Sequence, residues 1–361
     1  MKARVIALYL PQYHPIPEND AWWEPGFTEW TNVGKAKPLF RGHYQPHLPT
    51  ELGYYDLRVP ETRQAQADMA RRYGIEGFCY WHYWFGNGKQ LLERPFQEVL
   101  SSGKPDFPFC LAWANESWKG VYHGLSGRAI LMEQHYPGVD DYVNHFLHVL
   151  PAFKDNRYIT VDGKPLFMIY RPLADPEVKI FIQTWRRLAE ENGLPGIYFV
   201  GHNNELCYTA DQVLTTGVDA VNTAGISRYI TGRSFLQKLQ GRLWRCLIGR
   251  PNQMIIKYKL ASRFFLNKEE DARENVFPTI IPNWDNTPRT AEHGVVMHQS
   301  TPELFGRHVQ EAVSLIRHKL PEHRILFLKS WNEWAEGNYM EPDRKWRRAY
   351  LEVLAKELYN E

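Results

Sequence analysis

Ile325-Leu326-Phe327-Leu328-Lys329-Ser330-Trp331-Asn332-Glu333-Trp334-Ala335-Glu336-Gly337 decides the fold, because an apolar run here ends in chemistry. Ile325 to Leu328 is short, apolar and preceded by a polar loop, so it reads as a buried strand. Glu333 and Glu336 follow where that strand opens into a loop, among Trp331, Trp334 and Tyr339. Paired carboxylates with rings around them are the equipment of a glycosidase: one carboxyl moves a proton, the other stabilises or attacks the sugar. Alone, an Asn-Glu pair on a loop is also an ordinary surface turn. The rest of the chain has to repeat the pattern.

It does. Working back from the last run, short apolar segments bounded by turn residues predict strands over Val5 to Leu10, Gly77 to Trp81, Phe109 to Trp113, Leu166 to Tyr170, Ile197 to Gly201, Ala220 to Thr223, Thr279 to Pro282 and Ile325 to Lys329. Between most of them lies a helical pattern, at Glu61 to Tyr73, Leu91 to Ser101, Val139 to Phe153, Val178 to Asn192, Pro302 to His318 and Lys345 to Leu358. Eight strands alternating with helices predict an α/β fold, a single (β/α)8 TIM barrel over residues 1–361. An open doubly wound sheet would want a glycine-rich phosphate loop after an early strand, and the sequence has none there.

In a barrel the C-terminal strand ends converge on one face, where the chemistry sits. Strand 1 is followed by Tyr13 and His14, and strand 2 runs through Trp81 and His82. Strand 3 gives Trp113, Asn115 and Glu116, strand 4 gives Tyr170 and Arg171, and strand 5 gives His202 and Asn203. Strand 7 is followed by Asn283 and Trp284, and strand 8 by Trp331, Asn332 and the two glutamates. Any one of these rings is explained by core packing. Seven ends carrying polar and aromatic groups together predict a wide polar pocket, with these residues contacting substrate.

Two stretches break the pattern. The first connection, about residues 15–55, is long and rich in Trp, Pro and His, and its Glu29 and Trp30 are assigned to the pocket. His43 and His47 are four apart, a spacing that ligates metal on a helix, but Pro46 and Pro49 oppose a helix and no metal site is expected. The second, Arg228 to Lys268 between strands 6 and 7, holds ten Lys or Arg and no Asp or Glu. The chain has 43 basic and 41 acidic residues, so the remainder carries 33 against 41. Within it, residues 233–245 place Phe235, Leu239, Leu243 and Trp244 against Arg233, Lys238, Arg242 and Arg245, the pattern of a basic amphipathic helix. Such a helix lies on an anionic membrane surface or covers an apolar patch of the barrel. No nucleic-acid motif accompanies the charge.

Composition narrows the class. With 361 residues, 43% hydrophobic and 23% charged, the chain reads as globular, and no apolar run approaches the roughly 18 residues of a membrane span. Lys2 and Arg4 before Val5 to Leu10 superficially resemble a signal peptide, but the apolar run is short and Pro11-Gln12-Tyr13-His14 follows without a cleavage site. Four scattered cysteines, with Cys79 and Cys110 inside strands, read as thiols, and a cytoplasmic location is expected, peripheral to membrane if the basic helix binds one. No cofactor motif is present.

With these residues in hand, the chain resembles glycoside hydrolase family 99 and, more closely, the family 99-like WbsX-type proteins of bacterial polysaccharide gene clusters. The carriers are Tyr9-Leu10-Pro11-Gln12-Tyr13-His14, Gly74-Ile75-Glu76-Gly77-Phe78-Cys79-Tyr80-Trp81-His82, Trp113-Ala114-Asn115-Glu116 and Trp331-Asn332-Glu333-Trp334-Ala335-Glu336-Gly337. The resemblance implies a retaining endo-glycosidase that avoids a glycosyl-enzyme bond. Glu333 would take the proton of the sugar 2-hydroxyl, which closes onto C1 as a 1,2-anhydro sugar, while Glu336 would protonate the leaving oxygen and later deprotonate water. That route needs a 2-hydroxyl trans to the leaving group, as in α-manno- or α-rhamno-configured linkages of a bacterial polysaccharide or lipid-linked oligosaccharide. Ala335 stands where the hydrolases have His. Two other readings stay open: a WbsX-type glycosyltransferase in O-antigen or capsule synthesis, and a carbohydrate-binding barrel without catalysis. Within the glycosidase reading, Glu116 as acid/base opposite Glu333 is the competing pair.

Overall fold

The computed structural model describes residues 1–120, 130–203, 208–226, 228–229, 235–247 and 254–359, and within the helix 235–247 the side chains of 238–243, 246 and 247. Eight parallel strands close into a barrel: β1 (Arg4–Tyr9), β2 (Gly77–Trp84), β3 (Phe109–Trp113), β4 (Lys164–Ile169), β5 (Tyr198–Asn203), β6 (Ala220–Thr223), β7 (Val276–Ile280) and β8 (Ile325–Leu328). Each pairs with its neighbours in sequence, and β1 closes the ring against β8 with Arg4 opposite Ile325 and Ala7 opposite Leu328. The predicted (β/α)8 barrel is the observed fold.

The seventh strand starts earlier than the sequence reading, at Val276 rather than Thr279. Pro278 lacks an N–H and argues against a strand interior, yet here it pairs with Thr223. Burial of Val276 and Phe277 outweighs the lost donor.

Helices α1 (Pro60–Arg72), α2 (Arg94–Ser102), α3 (Val139–Phe153), α4 (Val178–Glu191), α5 (Ala210–Leu214), α6 (Pro302–Ile316) and α7 (Ala349–Tyr359) cover the barrel. Their apolar stripes explain why they pack. In α4, Phe181, Ile182, Trp185, Leu188 and Ala189 recur at helical spacing and are all buried. Start signals are equally local: Thr301 caps α6 by accepting from Leu304 N at 3.3 Å, with Pro302 at the first helical position. The sequence reading missed α5, which is too short for periodicity and is held by reciprocal bonds between Thr209 and Gln212.

Side chains alternate between barrel interior and helix layer with period two, and this sorts the strand-end residues. Trp81 and Tyr83 of β2 face inward. His82 and Trp84 face α3, where His82 Nε2 lies 2.8 Å from His145 Nε2 and Trp84 Nε1 donates to Asp141 at 3.0 Å.

The first connection folds over the strand ends with two short helices, Pro17–Trp22 and Glu29–Lys35. Residues 43–47 are not helical. In the basic connection, helix Phe235–Leu247 precedes a strand Met254–Lys257 that pairs in parallel with Val295–His298 beyond β7.

Candidate active site

The loop after β8 is fastened before it carries any function. Asn332 brackets the end of β1, accepting from Leu10 N at 2.8 Å and donating to Leu10 O at 3.0 Å. Ser330 Oγ accepts from Glu333 N at 3.2 Å, and the Tyr13 hydroxyl donates to Asn332 O while accepting from Trp334 N. Trp334 stacks on Tyr339 at 3.8 Å, and its Nε1 donates to the buried Glu341 at 2.6 Å. Gly337 ends the turn at φ 67°, and a Cβ there would sit 2.8 Å from Asp285 N, so only glycine fits. The result is a rigid turn that presents Glu333 and Glu336 to one cleft.

Arg289 organises their charge. It lies on a one-turn helix after β7, Thr287–Thr290, and reaches three carboxylates at once. Its Nε donates to Glu29 at 3.1 Å, one terminal nitrogen to Glu336 at 2.6 Å and the other to Glu333 at 3.2 Å. Asn338 Nδ2 donates to the second Glu336 oxygen at 3.2 Å. Burial and the neighbouring Glu336 charge push the Glu333 carboxyl up to about 7, against the pull of Arg289 and Lys329. Burial also raises Glu29, opposed by Arg289. Burial alone would lower Arg289, but Glu29, Glu336 and Glu333 hold it well above its ordinary value. Three carboxylates around one guanidinium leave excess negative charge, which favours a proton shared within the cluster.

The cleft in front of this cluster has a volume of about 480 Å³. Trp81, Tyr83, Trp118 and Tyr170 supply its rings, and Glu116 with Arg171, paired at 3.1 Å, lines it as well. Tyr170 stacks on His202 with centroids 5.3 Å apart. His202 Nδ1 faces Asn222 Oδ1 at 2.6 Å, and Asn222 uses its own amide hydrogens on Phe277 O and Thr279 Oγ1. His202 therefore donates from Nδ1, and burial, with Lys329 adding to it, holds the ring neutral by lowering it to about 3. Its Nε2 is then a bare acceptor with no hydrogen-bond partner among the described residues. A sugar hydroxyl would satisfy it.

Of the residues singled out in the sequence, Glu333, Glu336, Trp81, Glu116, Tyr170, Arg171, His202 and Asn203 line this cleft. The others do not. Glu29 lies behind it on Arg289. Tyr13, Trp331 and Asn332 are buried supports of the β8 loop, and Trp30 packs on Tyr13 and Trp334 with its Nε1 on Tyr55 O. Asn115 is a buried strut that accepts from Arg171 N at 2.7 Å and donates to Arg171 O at 2.9 Å. His82 and Trp113 face the helix layer, Trp113 packing on Phe181. His14 turns back to Pro11 O. Trp284 lies beneath Lys329. Asn283 lines a second cleft of about 410 Å³ behind the β8 loop, where His43 bonds Asp285 at 2.7 Å and His47 bonds Tyr339 at 2.8 Å.

The family profile described as Glycosyltransferase WbsX matches residues 5–354. The chain belongs to the WbsX family. It is 34% identical over 368 residues to the uncharacterized protein WxcX of Xanthomonas campestris pv. campestris, in strains B100 and ATCC 33913, covering 99% of this chain and 50% of WxcX. The chain thus spans about half the length of the curated relatives it matches. Among solved structures, a glycoside hydrolase-like protein superposes with a TM-score of 0.62 at 14% identity, over 99% of this chain and 94% of that one. The GH99 endo-alpha-mannosidase from Bacteroides thetaiotaomicron superposes with a TM-score of 0.56 at 13% identity, over 99% and 96%. The WbsX chain therefore shares the barrel fold of these two structures.

Several cleft residues of this WbsX chain were not assigned to the pocket from the sequence: Gln12, Tyr83, Trp118 and Lys329, which lie in or just after the predicted strands, and Arg289. Arg289 had a local signal, since Asn286-Thr287-Pro288 reads as the start of a short helix after strand 7. Nothing local showed that this helix would point a guanidinium at residues far away in sequence.

Proposed function

We propose that this chain is a retaining glycoside hydrolase acting within α-manno- or α-rhamno-configured linkages of a bacterial polysaccharide or lipid-linked oligosaccharide. The observation that carries the reading is Arg289 gathering Glu29, Glu333 and Glu336 at the wall of a ring-lined cleft. Two carboxyls that share one proton are what 2-hydroxyl participation requires. In the reacting form that proton is on Glu336, and Glu333, ionised and made a stronger base by its raised proton affinity, takes the 2-hydroxyl proton as that oxygen closes onto C1. Glu336 delivers its proton to the leaving oxygen. Protons balance: the C1–O bond to the leaving group breaks as the C1–O2 bond forms, and water then opens the three-membered ring at C1, giving a proton to Glu336 while Glu333 returns its own to O2. Arg289 holds both carboxylates in place, and Tyr170, Trp81 and His202 grip the ring.

The description of the family as glycosyltransferases supports a second reading in which a nucleotide sugar is the donor and a sugar hydroxyl, rather than water, is the acceptor. Hydrolysis of an aryl α-mannoside or α-rhamnoside, set beside binding of a nucleotide sugar, separates the two. Release of aryl alcohol without a nucleotide sugar supports the hydrolase. Tight nucleotide-sugar binding with no aryl release sinks it.

A pH profile tests the pair. Its shared proton is lost near 7, and the mechanism needs that proton for the leaving oxygen, so kcat/KM should fall as pH rises through about 7. A rate that instead climbs through that pH would mean that the acid's proton comes from outside the pair.

A further inference from the structure

We propose that helix Phe235–Leu247 docks this protein on an anionic lipid surface. Its described side chains stand out from the barrel: Leu239, Leu243 and Leu247 are 43%, 58% and 85% exposed, and Lys238, Arg242 and Cys246 are exposed with them. At about 100° per residue, the three leucines and Cys246 fall within an arc of about 100°, and Lys238 and Arg242 fall together on its flank. An apolar stripe open to water costs free energy unless something covers it, and single exposed leucines are common whereas a stripe at four-residue spacing is not. Charge says what covers it. From Arg228 to Lys268 the chain has ten basic residues and no acidic one, which favours an anionic partner and disfavours a second copy of the same segment. A basic helix with a leucine stripe fits the headgroup boundary of a bilayer: the leucines enter shallowly and the cations meet lipid phosphates. No helix among the described residues is long and apolar enough to cross a membrane, so attachment is peripheral.

Its position gives the attachment a consequence. The helix contacts the strand Met254–Lys257, which pairs with Val295–His298. Asn286 N in turn donates to Val295 O, at the base of the turn that carries Arg289. A membrane met by this helix is therefore linked, through these two strands, to the turn that carries Arg289. The inference rests on this helix alone and stands whether the barrel hydrolyses or transfers sugar.

The test is co-sedimentation of the full chain with vesicles of phosphatidylglycerol and phosphatidylcholine against phosphatidylcholine alone. Binding is expected only to the anionic vesicles, and should vanish when the salt is raised to about 1 M, where the screening length shrinks to about 3 Å. Leu243→Asp should abolish it. The double change Lys238→Glu with Arg242→Glu should weaken it by about 25-fold or more, since each basic residue near such a surface contributes about fivefold. All these side chains are exposed, so the variants should melt like the parent. Absence of binding at low salt, binding that survives Leu243→Asp, tighter binding to duplex DNA than to vesicles, or self-association lost in Leu243→Asp would each overturn the proposal.

Discussion

Glu333→Gln and Glu336→Gln should each lower turnover by on the order of 10²–10⁴-fold, the usual cost of losing a positioned proton-transfer group. Glutamine keeps the size of the side chain and one acceptor oxygen, so Arg289 retains a bond to each position and the cleft keeps its shape. Sugar binding should survive. Glu116→Gln is the control, because Glu116 lines the same cleft paired to Arg171 and has no part in the Arg289 cluster. Initial rates on an aryl glycoside, with Kd for a non-cleaved sugar, decide the matter. If Glu116→Gln is the deadlier change and Glu336→Gln is mild, the catalytic pair is the wrong one. Glu333→Gln also carries a stability signature. The folded carboxyl sits near 7, above its unfolded value, so the folded state binds the extra proton and the charged form is penalised. That penalty is absent below the unfolded value, grows between the unfolded and folded values, and is complete above the folded one. Glu333→Gln should therefore be near neutral for stability near pH 4 and stabilising near pH 8, by on the order of 1–3 kcal/mol.

The second large effect belongs to Arg289→Met. It removes the cation that Glu29, Glu333 and Glu336 share, and breaking a buried pair by removing one partner typically costs about 3–5 kcal/mol. The loss should be pH-dependent with a definite sign. Without the guanidinium the remaining carboxyls hold protons more tightly in the folded chain than in the unfolded one, so the variant loses more stability at pH 8 than at pH 5. Denaturant titrations at the two pH values measure this. Adding Glu29→Gln to Arg289→Met should recover part of the stability but none of the activity. An Arg289→Met protein as stable and active as the parent would remove Arg289 from any account of the site. Arg289→Lys should lie between, since one ammonium cannot reach three carboxylates in a fork.

The barrel was legible in the sequence because each strand is a short apolar run with its own boundaries, and closure needs only that they alternate with helices. The two glutamates were legible because they share one loop. Which strand-end residues reach the cleft was not, because period two decides it: Trp81 and Tyr83 go in, His82 goes out to His145, and residue type does not reveal which. Asn115, Tyr13 and Asn332 look like ligands in a string of letters because polar and aromatic groups serve equally as struts. Arg289 was illegible for a different reason. Its partners are 260, 47 and 44 residues away, so its meaning exists only once three loops meet.

That separation gives the cluster a temporal property. Glu29 is made early, Arg289 late, and Glu333 with Glu336 later still, so a ribosome must have released almost all of this sequence before the four side chains coexist. Until β8 slots in beside β1, a partly synthesised chain lacks the loop that carries Glu333 and Glu336. Under the proposed function such a chain has no acid and base, and proteolytic loss of β8 with its loop would abolish activity however much of the molecule survives.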